Sequence, residues 1–381
     1  MDEHEHLQIK RRMKNYLSKI KSEITLIYST KSQSDNGKRI TFIDMARGLA
    51  ILLVVMGHRG FITERTNIFI SSFHLPLFFI ASGMLFELKS ERLVETSTFF
   101  KRKIKSLFIP YFFFSVCSML LDLYFKPTGA ENAISDLKLH LVETFTLQGY
   151  SVLWFLPVVF IAESILYFLY RKFDIKILIP LLVASSIGMY YVYAVSVLMM
   201  PAIVINLFRI LVKAVIAATF MCAGMVLTKI MGLKNDSHDC SFNVAGLVVG
   251  IVMITVNILA SGYISLKDLN NLNVGYISLY FLLGICGSVG VFFICKSIVN
   301  IAPLTYFGRN SLVVFCTHAN CYVLYFGTVL YLAFSNRGLL PYIINDQITA
   351  NTYSMIFTFL LEIPIIMFLN IFLPVVVGKK R

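Results

Sequence analysis

Charged residues are scarce in this sequence. Asp, Glu, Lys and Arg make up 14% of its 381 residues, whereas about 25% is usual for a soluble globular chain. Hydrophobic residues reach 57% and occur in repeated apolar runs, each of about 20 residues, which is the length a helix needs to cross a bilayer. The composition therefore excludes a water-soluble fold and predicts an all-α, polytopic transmembrane helical bundle.

Motifs for metal binding and covalent catalysis are also missing. The seven cysteines show no CxxC spacing and lie mostly in apolar runs, so we interpret them as small buried hydrophobes. The sequence has no serine in a nucleophile elbow, no Cys–His pair and no cluster of metal ligands. We therefore expect no bound metal or cofactor, and any group transfer is expected to be direct rather than through a covalent intermediate.

The N-terminal stretch lacks the short apolar core and the cleavage site of a signal peptide. We expect residues 1–40 to remain as a cytoplasmic, partly amphipathic lead-in. Residues 41–376 are predicted to form the transmembrane domain, and residues 377–381 a basic cytoplasmic tail.

Lys and Arg are concentrated in every second loop, which by the positive-inside rule places both termini in the cytoplasm. Because these cations are spread over several loops and form no single stripe, the net charge of +13 does not indicate nucleic-acid binding. About ten transmembrane helices are predicted, over residues 41–62, 69–87, 106–125, 152–170, 177–194, 207–228, 243–262, 275–295, 311–334 and 353–375.

Ionisable side chains in the first apolar segment are the most informative feature. Such groups are costly inside a bilayer unless paired or solvated, so they indicate function by default. Arg47 and His58 are eleven residues apart, which on a helix is about three turns and about 16 Å, so they share one face. Asp44 is close enough to pair with Arg47 and to cap the helix. Singly, Arg47 would be an interface anchor and His58 a packing histidine; together they predict one shared, water-accessible cavity.

Weaker candidates lie in the second and fourth segments. His74 precedes Pro76, which suits the first turn of a helix, and Ser82 with Gly83 permits close helix packing. Trp154, the only tryptophan, is predicted near the outer interface, where aromatic anchors are common. For His74 a position among headgroups, and for Ser82 an ordinary helix contact, is the stronger alternative.

Basic residues crowd the start of the third segment. Lys101, Arg102, Lys103 and Lys105 would bind either anionic lipid or the phosphates of a nucleotide-bearing ligand. The remaining ionisable groups in apolar segments, at positions 122, 163, 209, 213 and 362, are mostly explained by snorkelling to the interface.

The ninth segment begins with another polar group. Gly308, Arg309, Asn310 and Ser311 are predicted at its cytoplasmic start, with Asn310 or Ser311 as the N-cap. His318, about two turns further on, is an intramembrane histidine and a site candidate.

These motifs, in this order, resemble the membrane-bound acyltransferase family 3, particularly members that O-acetylate carbohydrates. The most specific element is an Arg followed by ten residues and a His, here Arg47 and His58 within IDMARGLA and the helix that follows. The supporting motifs are FHLPLFFIASG, KRKIKSLFIPY, VLWFLP and FGRNSLVVFCTH.

The resemblance implies acyl-CoA, by default acetyl-CoA, as donor substrate on the cytoplasmic side, and a glycan or lipid-linked sugar as acceptor. It implies that His58 takes the proton of the acceptor hydroxyl and that Arg47 contacts the donor or holds the thioester, with Asp44 as its expected partner. Other family members carry an added soluble esterase-like domain, which we do not expect here. A chain of this type suggests a multi-pass protein of a bacterial inner membrane, in contact with lipid.

A sugar hydroxyl is a poor nucleophile at neutral pH, so its attack on a thioester needs a base whose pKa lies near the working pH. Neutral histidine meets this requirement, and we expect His58 to be the base. Arg47, His74 or His318 would stabilise the oxyanion, while Ser82, Arg102, Lys103, Trp154, Arg309 and Ser311 are weaker binding candidates.

Two other functions fit a bundle with internal His and Arg. A transporter or flippase of lipid-linked glycans or small anions would carry paired broken spans in two halves, and the sequence shows none. A glycan polymerase would carry a large outer loop rich in charge, whereas the outer segments 126–151 and 335–352 are modest. Those two segments would either cover an outward-facing groove or simply connect helices.

Overall fold

The computed structural model describes residues 3–28, 40–59, 63–126, 130–233, 240–265, 268–340 and 347–379. Within these ranges the fold is all-α, and the only β-pairing is an isolated bridge between Asp268 and Asn273. The helices are α1 (Glu3–Tyr28), α2 (Thr41–Gly57), α3 (Glu64–Leu88), α4 (Thr96–Lys103), α5 (Ile109–Phe125), α6 (Ala130–Phe145), α7 (Phe155–Lys172), α8 (Ile175–Ser196), α9 (Ala202–Ile230), α10 (Val244–Ser261), α11 (Ile277–Ser297), α12 (Ala302–Arg309), α13 (Ser311–Thr317), α14 (Val323–Asn336) and α15 (Gln347–Phe372).

Eight helical stretches in the described part of the chain are long and apolar enough to cross a membrane. They correspond to eight of the ten predicted segments, and a π-helical turn joins α4 and α5 into one of them. Short 3₁₀ turns precede α4 and α7 and follow α15. The chain therefore forms an all-α membrane protein.

The other two predicted segments are shorter or interrupted. Helix α2 has 17 residues and ends at Gly57, about 26 Å along its axis, instead of continuing to residue 62. The predicted ninth helix is not continuous, because α13 ends at Thr317 and α14 begins at Val323. Tyr322, between them, has a positive φ of 58°, a left-handed conformation that stops the helix. The break places His318 at the end of a short helix.

Two local predictions on the second segment and the outer loops are corrected. Helix α3 begins at Glu64, so His74 and Pro76 lie in its interior and not in its first turn. The described part of the outer segment 126–151 is mostly the helix α6, so it is not a simple connecting loop; its role as the cover of a groove stays a prediction. Residues 341–346 of the other outer segment lie outside the described residues.

The core is built around α3 and α9, which pack against each other over most of their length. A Cβ on Gly83 would overlap the carbonyl oxygen of Met221, and one on Gly224 would overlap that of Ile80. The two backbones therefore touch, as small residues allow in membrane helix pairs. Helix α2 packs in the same way against α12, where Gly48 and Gly308 face the partner backbone.

Candidate functional site

One end of the bundle contains a polar cavity at the C-terminus of α2; we refer to it as the His58 cavity. It measures about 210 Å³, somewhat below the roughly 300–1,000 Å³ of pockets for drug-sized ligands. Its walls come from α2, α3, the 3₁₀ turn before α7, α13 and the loop between α10 and α11. The lining residues are Val54, Gly57, His58, Asn67, Ser71, His74, Leu75, Val152, Trp154, Asp268, Leu269 and Phe315.

Two imidazoles line this cavity, and a third packs against one of them. His58 follows the last residue of α2, and its side chain is exposed at the cavity. His318 is fully buried, and its ring centroid lies 5.2 Å from that of His58. His74 lines the same cavity from α3. Three of the histidines predicted from separate motifs are thus brought together, although the chain separates the first and last by 260 positions.

Backbone contacts determine which nitrogen of two of these rings can accept a proton. His74 Nδ1 lies 2.8 Å from the carbonyl oxygen of Ile70, and His318 Nδ1 lies 2.8 Å from that of Val314. A carbonyl oxygen can only accept a hydrogen bond, so each Nδ1 carries the proton in the neutral ring. The Nε2 atoms are therefore the proton-accepting nitrogens, and Nε2 of His318 is buried without a hydrogen-bond partner.

Trp154 forms a wall of the cavity and is not an interface anchor. Its side chain is 6% exposed. Lys213 Nζ lies 4.5 Å from the centre of the indole ring and donates a hydrogen bond to Asn270 Oδ1 at 2.9 Å. Lys213 is 0% exposed, so the snorkelling explanation for this residue is wrong. It connects Trp154 to the loop between α10 and α11, and so helps to fix the shape of the cavity.

Arg59 anchors the end of α2 next to His58. Its guanidinium donates to Leu324 O at 2.7 Å, to Thr358 Oγ1 at 2.8 Å, and also to Thr328 and Ser354. These partners belong to α14 and α15, and none of them is among the residues that line the cavity. A planar group with several donors can hold three helices together in this way, which limits the movement of the adjacent imidazole.

A second polar cluster lies near the other end of α2, where α12 and α13 meet it; we refer to it as the Arg47 cluster. Arg47 Nη2 donates to Ser311 Oγ at 2.9 Å, and Arg309 Nε lies 3.3 Å from Asp44 Oδ2. Asp44 lies in the first turn of α2, whose N-cap is Ile40, so it does not cap the helix as predicted. Asn310 precedes α13 but makes no side-chain cap; its amide accepts from Lys379 at 3.0 Å.

Arg102 and Lys103 belong to a third group, between α4 and α7. Arg102 Nη2 pairs with Glu91 Oε2 at 2.8 Å, and Lys103 Nζ pairs with Glu163 Oε2 at 3.0 Å and with Glu91 Oε1 at 3.8 Å. Glu163 is therefore an ion-pair partner. Ser82 joins neither this group nor the lining of the His58 cavity; it is half-buried on α3, beside the contact of Gly83 with α9.

The shared cavity expected for Arg47 and His58 stays a prediction. Arg47 is not among the described residues that line the His58 cavity. Since α2 rises by about 1.5 Å per residue, the two residues lie about 16 Å apart along one helix. The shared face is consistent with a ligand that runs along α2 from one cluster to the other.

Several cavity residues had no distinct signal in the sequence. Asn67, Ser71 and Asp268 line the cavity, but their polar side chains resemble those of any helix start or outer loop. Lys213 did have a signal, since a lysine inside an apolar segment is costly unless it has a partner. Glu362 has the same signal; it is 0% exposed and accepts from Thr317 Oγ1 at 2.8 Å.

No group of three or more His, Cys, Asp or Glu side chains in the described residues is placed to hold a metal ion. The free cysteines in the same part of the chain are buried or half-buried.

A family model described as an acyltransferase domain matches residues 40–379. No curated protein and no solved structure matches the chain.

Proposed function

The chain belongs to the acyltransferase 3 family, and from this premise we propose that it transfers an acetyl or similar short acyl group from acyl-CoA to a hydroxyl of a cell-surface or lipid-linked glycan. The observation on which the proposal depends is the exposed imidazole of His58 in a polar cavity that also contains Trp154 and two further histidines nearby. An imidazole is the side chain best suited to take a proton from a hydroxyl near neutral pH.

The cavity has properties that suit a sugar residue. Its volume of about 210 Å³ accommodates one small ring rather than a large ligand. Asn67, Ser71 and Asp268 offer hydrogen-bond partners for hydroxyls, and Trp154 offers an aromatic wall. Apolar and aromatic walls with a few placed polar groups are what a small polar ligand requires for orientation.

We place the acyl donor along α2. The nucleotide end of acyl-CoA would lie at the Arg47 cluster, where a guanidinium suits phosphate or carbonyl oxygen. The thioester at the end of the extended pantetheine arm would then reach His58. In this arrangement Arg47 acts on the donor and His58 on the acceptor, so the two residues need not share one cavity.

In the proposed reaction His58 accepts the proton of the acceptor hydroxyl while its oxygen attacks the thioester carbonyl carbon. The carbon–sulfur bond breaks, the thiolate leaves and receives the proton from His58, and the products are the acyl ester and free CoA. His318 and His74 stand close enough to help stabilise the oxyanion or to orient His58.

Replacement of His58 tests the proposal. We expect His58→Gln to reduce transfer of label from acetyl-CoA to glycan by about 10²–10⁴-fold, because the proton would no longer have an acceptor. Membranes containing the wild-type protein or the variant would be incubated with labelled acetyl-CoA and candidate glycans. His140→Gln is the matched control, since His140 lies outside the cavity beside Asp122.

Full activity of the His58→Gln protein would remove His58 as the base. Wild-type membranes that move a lipid-linked glycan across the bilayer but transfer no label would favour the transporter function instead.

A further inference from the structure

Asp268 is the one carboxylate among the described residues that line the His58 cavity. It comes from the loop between α10 and α11, far from α2 in the sequence. Its carboxylate and the imidazole of His58 are near enough for their charges to interact. Asp268 and His58 therefore line one cavity although they lie far apart in the sequence.

The carboxylate of Asp268 is held in a fixed place by its own turn. Oδ1 accepts a hydrogen bond from the backbone N–H of Asn270 at 2.6 Å, and Oδ2 accepts from the side chain of Asn271. Backbone hydrogen bonds between Asp268 and Asn273, at 2.8 and 3.1 Å, close the turn. A carboxylate fixed in this way needs no reorganisation when a charge develops beside it.

The turn is also fixed to the helices. Lys213 donates to Asn270, and Tyr190 on α8 donates its hydroxyl to the carbonyl oxygen of Gly275 at 2.9 Å. Lys213 therefore holds the amide of the turn to which Asp268, a residue of the cavity lining, belongs. The whole loop acts as a rigid support for one negative charge.

The other charged or titratable groups around His58 do not provide this charge. His74 lines the cavity and His318 packs against the ring, but an imidazole is neutral or positive. Arg59 donates its hydrogen bonds to α14 and α15. Lys213 is a cation. An imidazolium on His58 would thus lie among neutral or positive groups, with Asp268 as the single negative one in the lining.

We propose that Asp268 is a positioning residue for the transfer reaction, whose carboxylate stabilises the positive charge that His58 acquires when it takes the hydroxyl proton. The role rests on the proposed function of the cavity, and it assigns to Asp268 the part that a carboxylate plays beside a catalytic imidazole. Asp268 does not exchange the proton; it lowers the free energy of the protonated ring.

The test removes the charge and keeps the backbone hydrogen bond of the turn. In Asp268→Asn the amide oxygen still accepts from the N–H of Asn270, but the negative charge and the hydrogen bond from the side chain of Asn271 are lost. We expect kcat to fall by about 10- to 100-fold with little change in KM for acyl-CoA, and the midpoint of the acid limb of the pH–rate profile to move to lower pH by about one unit. The direction follows because an anion favours the protonated imidazole, so its removal favours the neutral form.

The titration of His58 can be measured without any acyl transfer. Diethylpyrocarbonate modifies neutral imidazole, and peptide mass spectrometry resolves each histidine of the purified protein. The pH midpoint for modification of His58 should fall in Asp268→Asn and stay at the wild-type value in Asp268→Glu, which keeps the charge. Asn271→Ala is the matched control, because it removes one hydrogen bond of the same turn and no charge.

An unchanged His58 midpoint in Asp268→Asn overturns the proposal, whether or not acyl transfer is detected. Absence of acyl transfer by the wild-type protein would contradict the proposed reaction. If the His58 midpoint still shifts in Asp268→Asn, the electrostatic link between Asp268 and His58 remains supported. A midpoint that shifts equally in Asn271→Ala also contradicts the proposal, since the order of the turn would then be the cause.

Discussion

At the residue scale, Arg47 and Ser311 show how one predicted residue acquires a partner 264 positions away. The guanidinium lies in the interior of α2, whose residues after Arg47 are apolar. A charge in such a place is stable only with hydrogen-bond partners or a charged ligand. Ser311 supplies one such partner and fixes the position of the cation.

This contact leads to a prediction for the donor site. We expect Arg47→Lys to raise KM for acyl-CoA by about 10-fold, roughly 1.4 kcal/mol of binding, because a lysine cannot form the planar fork that binds carbonyl or phosphate oxygens. Steady-state kinetics with acetyl-CoA in detergent would measure it.

Lys229→Arg is a suitable control, because Lys229 lies in the last turn of α9 and donates to Tyr170 on α7, outside the Arg47 cluster. A rise in KM for the glycan acceptor, with no change in KM for acyl-CoA, would show that Arg47 binds the acceptor and not the donor.

At the element scale, the contact between α3 and α9 decides how the site is supported. His74 lies on α3 and lines the cavity, and Lys213 lies on α9 and contacts Trp154 of the cavity wall, so the shape of the cavity depends on the distance between these helices. Gly83 and Gly224 permit that distance, because a side chain at either position would overlap the partner backbone.

We therefore expect Gly83→Ala to destabilise the protein by about 1–3 kcal/mol, the usual cost of overpacking. Gly188→Ala on α8 is a sharp control, since a Cβ there meets nothing within 4 Å and replacement of a helical glycine by alanine is mildly stabilising. Thermal unfolding in detergent should move in opposite directions for the two variants. A Gly83→Ala protein as stable as the wild type would show that the two helices are not in backbone contact.

At the scale of the whole molecule, the count of ten crossings stays a prediction, and it is reached if α2 counts as one crossing and the broken pair α13 and α14 as another. The eight longer spans are fixed by length and composition. The cytoplasmic position of both termini follows from the charge of the loops and stays a prediction.

Reporter fusions test this topology. A green fluorescent protein fused after Lys379 should fluoresce, and alkaline phosphatase inserted after Lys126 should be active, because the first folds in the cytoplasm and the second outside it. The reciprocal fusions are the controls. Phosphatase activity at the C-terminus would show that the orientation is the reverse of the predicted one. The donor and acceptor sides of the membrane would then be exchanged as well.

The amino-acid sequence by itself determined the membrane class and the positions of most spans, because the length and hydropathy of a segment decide whether it crosses a bilayer. It also marked Arg47, His58 and His318, since an ionisable group in an apolar run is costly wherever the chain goes. Only the tertiary structure decided that Arg47 is absent from the lining of the His58 cavity, that His318 packs against His58, and that Asp268 lines the same cavity as His58. Those relations depend on contacts between helices far apart in the chain, and neither periodicity nor composition contains the distance between two helices.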